Sequence, residues 1–391
     1  MALPYSGFNI KQRRPGSGRK LLPNLPEGPR RRLADAEARI AEGFKGITND
    51  GNVVPGLFGL QKTGVETDSV RKAAEAFLAS LDPEARAKAL FDIDSDAWRQ
   101  WCNIHPFLLR HGAMLDEMSM VQRERALAVL QASFSLQGFE TARNIMKLND
   151  TVREMTGIKE EYGEWLYWLS IMGTPSSSEP WGWQIDGHHL IVNCFLLGDQ
   201  LVTTPSFLGS EPCVAEEGIH KGTSVFREEE SKGLALMQSL STEQRNKALL
   251  SDDLPGEVFT TAFRDNFELT YEGVRYGDLS SSEQKLLLNL MEIYINRIRR
   301  GHAAVKLEEV RAHLNHTYFA WMGGFAEDSV FYYRIHSPVI LIEFDHQSGI
   351  VLDNDKPSRH HIHTIVRTPN GNDYGKDLLR QHREHHAHPH P

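Results

Sequence analysis

The stretch WGWQIDGHHLIVNCFLLGDQLVTTPSFLG, residues 181–209, decides the fold class, because it has the pattern of consecutive β-strands. Within it, GDQ separates two apolar runs and predicts a tight hairpin turn. WLYWLSIMG at 165–173 precedes this stretch and predicts a further strand. A second group of strands is expected in VFYYRIHSPVILIEFDHQSGIVLD at 330–353 and in HHIHTIVR at 360–367. The sequence therefore predicts two groups of strands.

Amphipathic helices are predicted around these strand groups. SVRKAAEAFLASL at 69–81 and VQRERALAVLQASFSL at 121–136 carry apolar residues at intervals of three and four. Further helical segments lie between the two strand groups. Because groups of strands alternate with groups of helices, we expect an α+β fold in which helical segments flank an antiparallel or mixed β-sheet.

Three segments share a helix start signal. They are LDPEARAKAL at 81–90, LSTEQRNKAL at 240–249 and LSSSEQKLLL at 279–288. The first two are offset by 159 residues, which is too long for a solenoid repeat. We interpret them as recurring capping chemistry, or at most as the mark of two related helical halves.

Charge divides the chain into three parts. Residues 1–32 carry eight Lys or Arg against one Glu, a local charge of +7. The chain as a whole carries −9, so the rest of it carries −16. We expect residues 1–32 to be a basic, disordered arm, residues 33–380 a single α+β domain, and the His-rich residues 381–391 a disordered tail. An acidic domain makes nucleic acid an improbable partner.

Several classes of protein are disfavoured by the sequence. It lacks both an apolar run of transmembrane length and the apolar block of a secretory signal, so an intracellular, cytoplasmic location is expected. Cys102, Cys194 and Cys213 have no CxxC spacing and are expected to be reduced thiols. The nucleotide-binding patterns GxGxxG and GxxxxGK[ST] do not occur.

The histidines of HHIHTIVR are the first candidate site. Alternate residues of a strand face the same side, so His361 and His363 can aim both rings at one point, as a metal half-site requires. His360 would face away. The alternative is that His361 and His363 are two polar residues on an exposed strand face.

The second candidate is the pair His188 and His189. Adjacent strand residues face opposite sides, so at most one should join a common site unless Gly187 marks a bulge that redirects them. The one that joins could be a metal ligand or a general base. The alternative is a core histidine that is bonded to a backbone carbonyl.

Charged residues of the second strand group complete the candidate site. Glu343 follows an apolar run, where an unpaired charge would be unfavourable, so we expect a metal ion or Arg334 to compensate it. A plain Glu–Arg ion pair is the alternative. His336 precedes Ser-Pro, where the strand must break, and could face the substrate. Arg367 ends its strand and could hold a carboxylate or phosphate. Asp373 could cap the helix that follows.

Three of these segments together resemble a family. GHH, YRI with the later IE, and HIHT with NDYG occur in the order found in the bacterial and fungal family of unknown function DUF3500, over about residues 65–380. The matching positions are Gly187, His188, His189, Tyr333, Arg334, Ile335, Ile342, Glu343, His361, Ile362, His363, Thr364, Asn372, Asp373, Tyr374 and Gly375.

The chain departs from this family pattern in two places. His336-Ser337-Pro338 stands where the family is expected to carry Gly before Pro, so the backbone there is expected to differ. The basic arm stands where many relatives carry an export signal, so the resemblance does not indicate location. The resemblance implies that these segments belong to one site, and it implies no reaction.

We expect a mononuclear metal-dependent enzyme that acts on a small organic substrate. The predicted ligands are His361, His363 and Glu343, with His189 or His188 as fourth ligand or general base. Arg334 or Arg367 would hold an anionic group of the substrate. Zinc, iron and copper all suit these ligands, and hydrolysis is favoured because no flavin, nicotinamide or haem motif is present.

Two alternatives remain open from the sequence. The first is a non-haem iron or copper oxidoreductase that uses the same ligands. The second is a non-catalytic ligand-binding protein in which the histidines are structural. The sequence does not indicate an oligomeric state.

Overall fold

The computed structural model describes residues 7–11, 27–103 and 109–385. Within these ranges the α-helices are α1 (Glu27–Ala41), α2 (Asp68–Ser80), α3 (Pro83–Ala89), α4 (Met120–Ser133), α5 (Leu136–Thr156), α6 (Arg227–Ser239), α7 (Thr242–Ala248), α8 (Ser281–Ile295), α9 (Arg300–Ala312) and α10 (Lys376–His385). None of these helices is both long and apolar enough to cross a lipid bilayer.

All strands of the described residues belong to one mixed sheet. They are β1 (Leu90–Phe91), β2 (Ala113–Met114), β3 (Tyr167–Met172), β4 (Trp181–Gly187), β5 (Leu190–Leu197), β6 (Gln200–Val202), β7 (Ser206–Ser210), β8 (Leu249–Ser251), β9 (Val274–Arg275), β10 (Tyr318–Gly323), β11 (Phe331–His336), β12 (Leu341–Gln347) and β13 (Ser358–Arg367). The predicted α+β class is confirmed, and Leu197 pairs with Gln200 across the predicted GDQ hairpin.

The sheet joins the two predicted strand groups through β13. Its main path runs β1-β3-β4-β5-β7-β13-β12-β11-β10-β8. β13 is the last strand of the described residues, yet it pairs with β7 on one side and with β12 on the other, antiparallel to both. Its residue His363 lies opposite Gly209 of β7 and Asp345 of β12. Polar residues from distant segments therefore meet at the middle of the sheet.

The order of elements repeats along the chain. Each half contains a helix pair, α2–α3 or α6–α7, that leads into a short edge strand, β1 or β8. Each edge strand pairs in parallel with β3 or β10, which is followed by two antiparallel long strands. α2 begins at residue 68 and α6 at residue 227, which is the same offset of 159 residues as between the two sequence segments. The recurring helix starts therefore mark two related halves.

The predicted helix starts are confirmed. The Asp82 carboxylate accepts a hydrogen bond from the Ala85 amide at the start of α3. Ser241 with Gln244, and Ser280 with Glu283, form reciprocal capping boxes at α7 and α8. Such caps satisfy amide groups that the first helical turn leaves unpaired.

The two faces of the sheet differ in character. Helices cover the apolar face: Phe134, at the end of α4, contacts Trp183, and Tyr294 of α8 donates to or accepts from the hydroxyl of Tyr333 at 2.5 Å. Gly233 of α6 packs so closely there that an added Cβ would lie 2.5 Å from Tyr333 Cε1. The opposite face carries buried polar side chains, and irregular segments around residues 92–103 and 255–272 cover it. The buried polar residues of that face include Gln184, Asn193, Arg334, Glu343, Asp345, His361, His363 and Arg367.

The basic arm and the His-rich tail have boundaries that differ from the predicted ones. α1 begins at Glu27, so the boundary placed at residue 32 falls inside a helix, because proline at position 29 suits a first turn and arginine is a good helix former. Residues 7–11 contact a loop of the domain, where the Lys11 amide donates to Val351 O at 2.8 Å. α10 continues to His385, beyond the predicted boundary at residue 380. The rest of the predicted arm and residues 386–391 lie outside the described residues.

Candidate metal centre

Three histidine rings converge on one point. The Nε2 atom of His189 lies 3.1 Å from that of His363 and 3.3 Å from that of His361, and the latter two are 3.0 Å apart. Ligand nitrogens at about 2.0–2.1 Å from one ion lie about 2.9 Å apart at a right angle and about 3.4 Å apart at the tetrahedral angle. The three nitrogens therefore match one face of a single ion's coordination sphere.

Strand alternation places two of the rings. His361 and His363 of β13 point to the same side of the sheet, and their rings meet edge to face with centroids 4.7 Å apart. His360 faces the other way, is partly exposed and packs against Phe8. This is the arrangement that the HxH spacing predicts.

The third ring comes from the tight turn between β4 and β5. His189 has a φ of 62°, in the left-handed region, and this conformation turns its side chain towards β13. Only one of the adjacent histidines joins the cluster. The ring of His188 stacks on that of His189 at 3.9 Å, and its Nδ1 lies 2.9 Å from Asn149 Oδ1. The stacked ring of His188 therefore helps to hold the His189 ring in its orientation.

Gly209 lets the rings approach one another. It lies on β7 directly opposite His363. A Cβ built on Gly209 would lie 2.9 Å from His363 Cδ2, 3.0 Å from His189 Cδ2 and 2.8 Å from Ile362 O. Any side chain here would push at least one ring away, since glycine in a strand interior often marks a close approach of this kind.

The outer nitrogens of two rings have acceptors that fix the tautomer. His361 Nδ1 donates to Ser348 O at 2.7 Å, and His363 Nδ1 donates to Glu257 Oε1 at 2.8 Å. A neutral imidazole that carries its proton on Nδ1 presents a lone pair at Nε2. Burial lowers the pKa of His361, and it lowers the pKa of His189 to well below the usual range, with the neighbouring rings adding to the effect. His189 and His361 are therefore favoured in the neutral form, and the hydrogen bonds at Nδ1 leave the Nε2 atoms of His361 and His363 facing the common point.

Acidic side chains surround the cluster. Besides Glu257, a carboxylate oxygen of Glu211 lies 3.6 Å from His361 Nδ1. Asp345 is fully buried opposite His363, and its Oδ1 has no hydrogen-bond partner in the part of the chain that the structure describes. Burial raises the pKa of Asp345 to well above its usual range, and the charges of Glu257 and Glu343 raise it further. A cation at the common point would offset this concentration of negative charge.

Glu343 is not part of the cluster of potential metal ligands, in which the structure brings together His189, His361 and His363. It faces the same side of the sheet as His363, but its carboxylate accepts hydrogen bonds from the amides of Phe259 and Thr260, at 2.6 and 2.9 Å. The hydroxyls of Thr260 and Tyr332 also donate to it. These donors compensate the buried charge, for which the sequence analysis invoked a metal or Arg334.

Arg334 and Arg367 both have partners inside the protein. Arg334 lies opposite Glu343 on the neighbouring strand, but its guanidinium donates to Glu272 Oε2 at 2.7 Å. Arg367 is fully buried and donates to Asp265 and Asp373, at 2.8 and 3.1 Å, as well as to two backbone carbonyls. Asp373, expected as a helix cap, accepts instead from Arg367 and from the Thr368 amide. The expected role of Arg367 in holding an anion is therefore replaced by a structural one.

His336 lies away from the cluster. It is buried at the end of β11, and its ring packs against Tyr271 with centroids 4.5 Å apart. Burial lowers its pKa to about 3. It is a neutral core histidine in this environment.

The family comparison covers this whole arrangement. A family model described as "Protein of unknown function (DUF3500)" matches residues 63–376. The chain belongs to this family. The match spans all three histidines of the cluster, Gly209 and the acids around them, and it confirms the resemblance predicted over about residues 65–380. Neither a curated protein nor a solved structure significantly matches the chain.

Proposed function

We propose that this DUF3500 protein is a mononuclear metal-dependent enzyme that acts on a small organic molecule, with the metal bound by His189, His361 and His363. The observation that carries the proposal is the meeting of three Nε2 atoms at 3.0 to 3.3 Å. Nitrogen lone pairs that point at one another repel unless a cation or a proton lies between them. One divalent ion would satisfy all three rings at once.

The set of donors favours zinc or copper over iron. Three imidazoles with a position left open form a common catalytic zinc site, and imidazole also suits copper. Non-haem iron oxygenases typically use two histidines and a carboxylate, and Glu343 has other partners. Zinc would supply hydrolysis by a bound water whose pKa is lowered towards neutrality, and this is the reaction class we favour.

The surrounding residues have distinct roles in this proposal. Glu257 orients the His363 ring through its hydrogen bond to Nδ1. Asp345 Oδ1, which lies on the same face as His363, would accept the proton of the attacking water once a cation held by the three histidines has lowered the raised pKa of Asp345. An anionic substrate would have to be recognised without Arg334 or Arg367, because both are engaged in internal ion pairs.

An intracellular location is part of the proposal. Its support is that Cys102, Cys194 and Cys213 are all buried and free, as in proteins of reducing compartments. Expression of the full chain with a thiol-reactive label, added before and after denaturation, would test whether the three thiols are reduced in the cell.

Metal analysis tests the binding site. Residues 386–391 should be deleted first, because they contain three histidines that can bind metal adventitiously, while α10 ends at His385. After reconstitution with zinc, we expect about one equivalent per chain by mass spectrometry of the metal. His363→Ala should lose the metal, and His360→Ala, from the same strand, should retain it. Less than about a tenth of an equivalent in the wild type would overturn the proposal.

Turnover separates an enzyme from a binding protein. With 4-nitrophenyl acetate and a phosphodiester analogue as probes, we expect activity from the zinc-loaded protein and none from the metal-free protein. Asp345→Asn should keep the metal but lower kcat about a hundred-fold, since it removes the proton acceptor. Equal rates with and without metal would contradict a metalloenzyme and favour a non-catalytic role.

A further inference from the structure

A cavity lies on the apolar face of the sheet, on the side opposite the three-histidine cluster. It lies between the strands and helices α5, α8 and α9, and its volume is about 90 Å³. Its wall residues include Leu190, Val192, Leu208 and Val366 from the long strands of the sheet. Their side chains point away from the face that holds His361 and His363, because strand residues alternate. The cavity is therefore separate from the candidate metal centre.

Arg297 gives this apolar cavity a buried hydrogen-bond donor. Its side chain lines the cavity and is only 9% exposed. Nη2 donates to Glu229 Oε1 at 2.7 Å, whereas Nη1 has no hydrogen-bond partner among the described residues. The guanidinium lies over the ring of Tyr294, 4.7 Å from its centroid, which holds its orientation. A buried donor without a partner is unfavourable, so a ligand that accepts from Nη1 would gain its full hydrogen bond.

Two cations line the cavity, and each has one carboxylate partner. The charged lining residues are Arg297, Lys306 and Glu309, and Arg297 pairs with Glu229 outside the lining. Lys306 Nζ donates to Val339 O at 2.8 Å and also pairs with Glu309. Carboxylates are the common partners of buried arginine, because the planar fork matches both oxygens.

We propose that this cavity binds a short monocarboxylic acid, with its carboxylate on Arg297 Nη1 and its hydrocarbon chain against Leu190, Val192 and Leu208. An apolar cavity of about 150 Å³ accommodates benzene, so about 90 Å³ suits the carboxylate and the first carbons of the chain. A neighbouring cavity of about 320 Å³ shares Leu201, Val202 and Lys306 with it, and we expect the rest of a longer chain to extend into that cavity. This proposal is independent of the metal centre.

Calorimetric titration of the full chain with hexanoate tests the proposal. We expect saturable binding of one hexanoate per chain. Hexan-1-ol, which has the same hydrocarbon chain without the charge, should bind at least about ten-fold more weakly, because its hydroxyl cannot replace a hydrogen bond between two charged groups. No hexanoate binding at millimolar concentration, or equal binding of the alcohol, would overturn the proposal.

Two variants locate the binding site. Val202→Trp should block the half-buried mouth of the cavity and weaken hexanoate binding about ten-fold or more, while Val121→Trp on the exposed face of α4 should leave it unchanged. The double variant Arg297→Met with Glu229→Gln removes both members of the buried ion pair, so that no charge is left unpaired. It should lose the preference for hexanoate over hexan-1-ol.

One further variant separates this site from the metal centre. A carboxylate could bind to a metal ion as well, so the titration should be repeated with His363→Ala. Unchanged hexanoate binding is expected. Loss of binding in His363→Ala, with Val202→Trp behaving as wild type, would assign the carboxylate to the metal centre and overturn the proposal for the cavity.

Discussion

Two buried polar clusters lie on the same face of β13, and they differ in how their polar atoms are satisfied. At one end of the strand, Arg367 donates to two carboxylates and two backbone carbonyls. At the other end, His361 and His363 point their Nε2 atoms at each other and at His189. Both clusters are almost completely buried.

Whether a buried polar group has all of its hydrogen-bond partners inside the protein is a better guide to a binding role than its residue type is. A buried polar group whose partners are all internal contributes to the fold and has no capacity left for a ligand. A buried group that faces only other lone pairs would gain a partner from a bound cation, and this supports the proposed metal site. The arginine that we expected to bind substrate belongs to the first kind, and the histidines belong to the second.

Replacing Arg367 should have the largest effect on the fold. Arg367→Met removes the positive charge that pairs with the buried carboxylates of Asp265 and Asp373. We therefore expect the free energy of unfolding of the metal-free protein to fall by about 3–5 kcal/mol. Urea denaturation measures this. Arg380→Met, which removes exposed ion pairs in α10, should lower it by less than about 1 kcal/mol. A similar loss in both variants would mean that the Arg367 cluster is not structural.

Gly209→Ala should have an intermediate effect that involves the histidine cluster. The added methyl group would press on the rings of His189 and His363 and on Ile362 O, so we expect a loss of about 1–3 kcal/mol in stability. Zinc affinity, measured by competition with a chelator, should fall as well because the rings move apart. Gly277→Ala, where nothing lies within 4 Å of the added atom, is the matched control. Wild-type zinc affinity in Gly209→Ala would contradict the close approach.

Glu257→Gln should have the smallest effect on the fold and a selective effect on the metal. The Glu257 side chain is 35% exposed, so the free energy of unfolding of the protein should change by no more than about 0.5 kcal/mol. Its hydrogen bond to His363 Nδ1 would weaken, and we expect zinc affinity to fall about ten-fold. Glu243→Gln, which removes an exposed helix pair, should leave zinc affinity unchanged. An unchanged affinity in Glu257→Gln would show that the carboxylate does not tune the ring.

Strand alternation made part of the site predictable. The HxH spacing was enough to place His361 and His363 on one face, and the GHH turn indicated that one further histidine could join them. The hairpin and the helix caps were predictable for the same reason, because each depends on residues that are close in sequence.

Partners from irregular segments could not be predicted. Alternation places Glu343 on the same face as His363, but it does not reveal that Phe259 and Thr260 supply donors to its carboxylate. The same segment contains Asp265, which accepts a hydrogen bond from Arg367, and Glu257, which accepts one from His363. No periodic pattern identifies such residues, since loops have no repeating geometry. Gly209 and Asp345 could have been identified from the sequence. Gly209 is a glycine inside a strand, and Asp345 lies two residues after Glu343 and so on the same face.

The position of β13 bears on how the protein forms during synthesis. β13 leaves the ribosome after all the other strands of this sheet have been synthesised. It must nevertheless insert between β7 and β12. Until then the chain has two incomplete sheets with open edges, and His189 has no histidines to meet. Under the proposed function, metal binding by the three histidines would follow the synthesis of β13. A nonsense mutation before residue 358 would leave unpaired strand edges and would remove two of the three histidines.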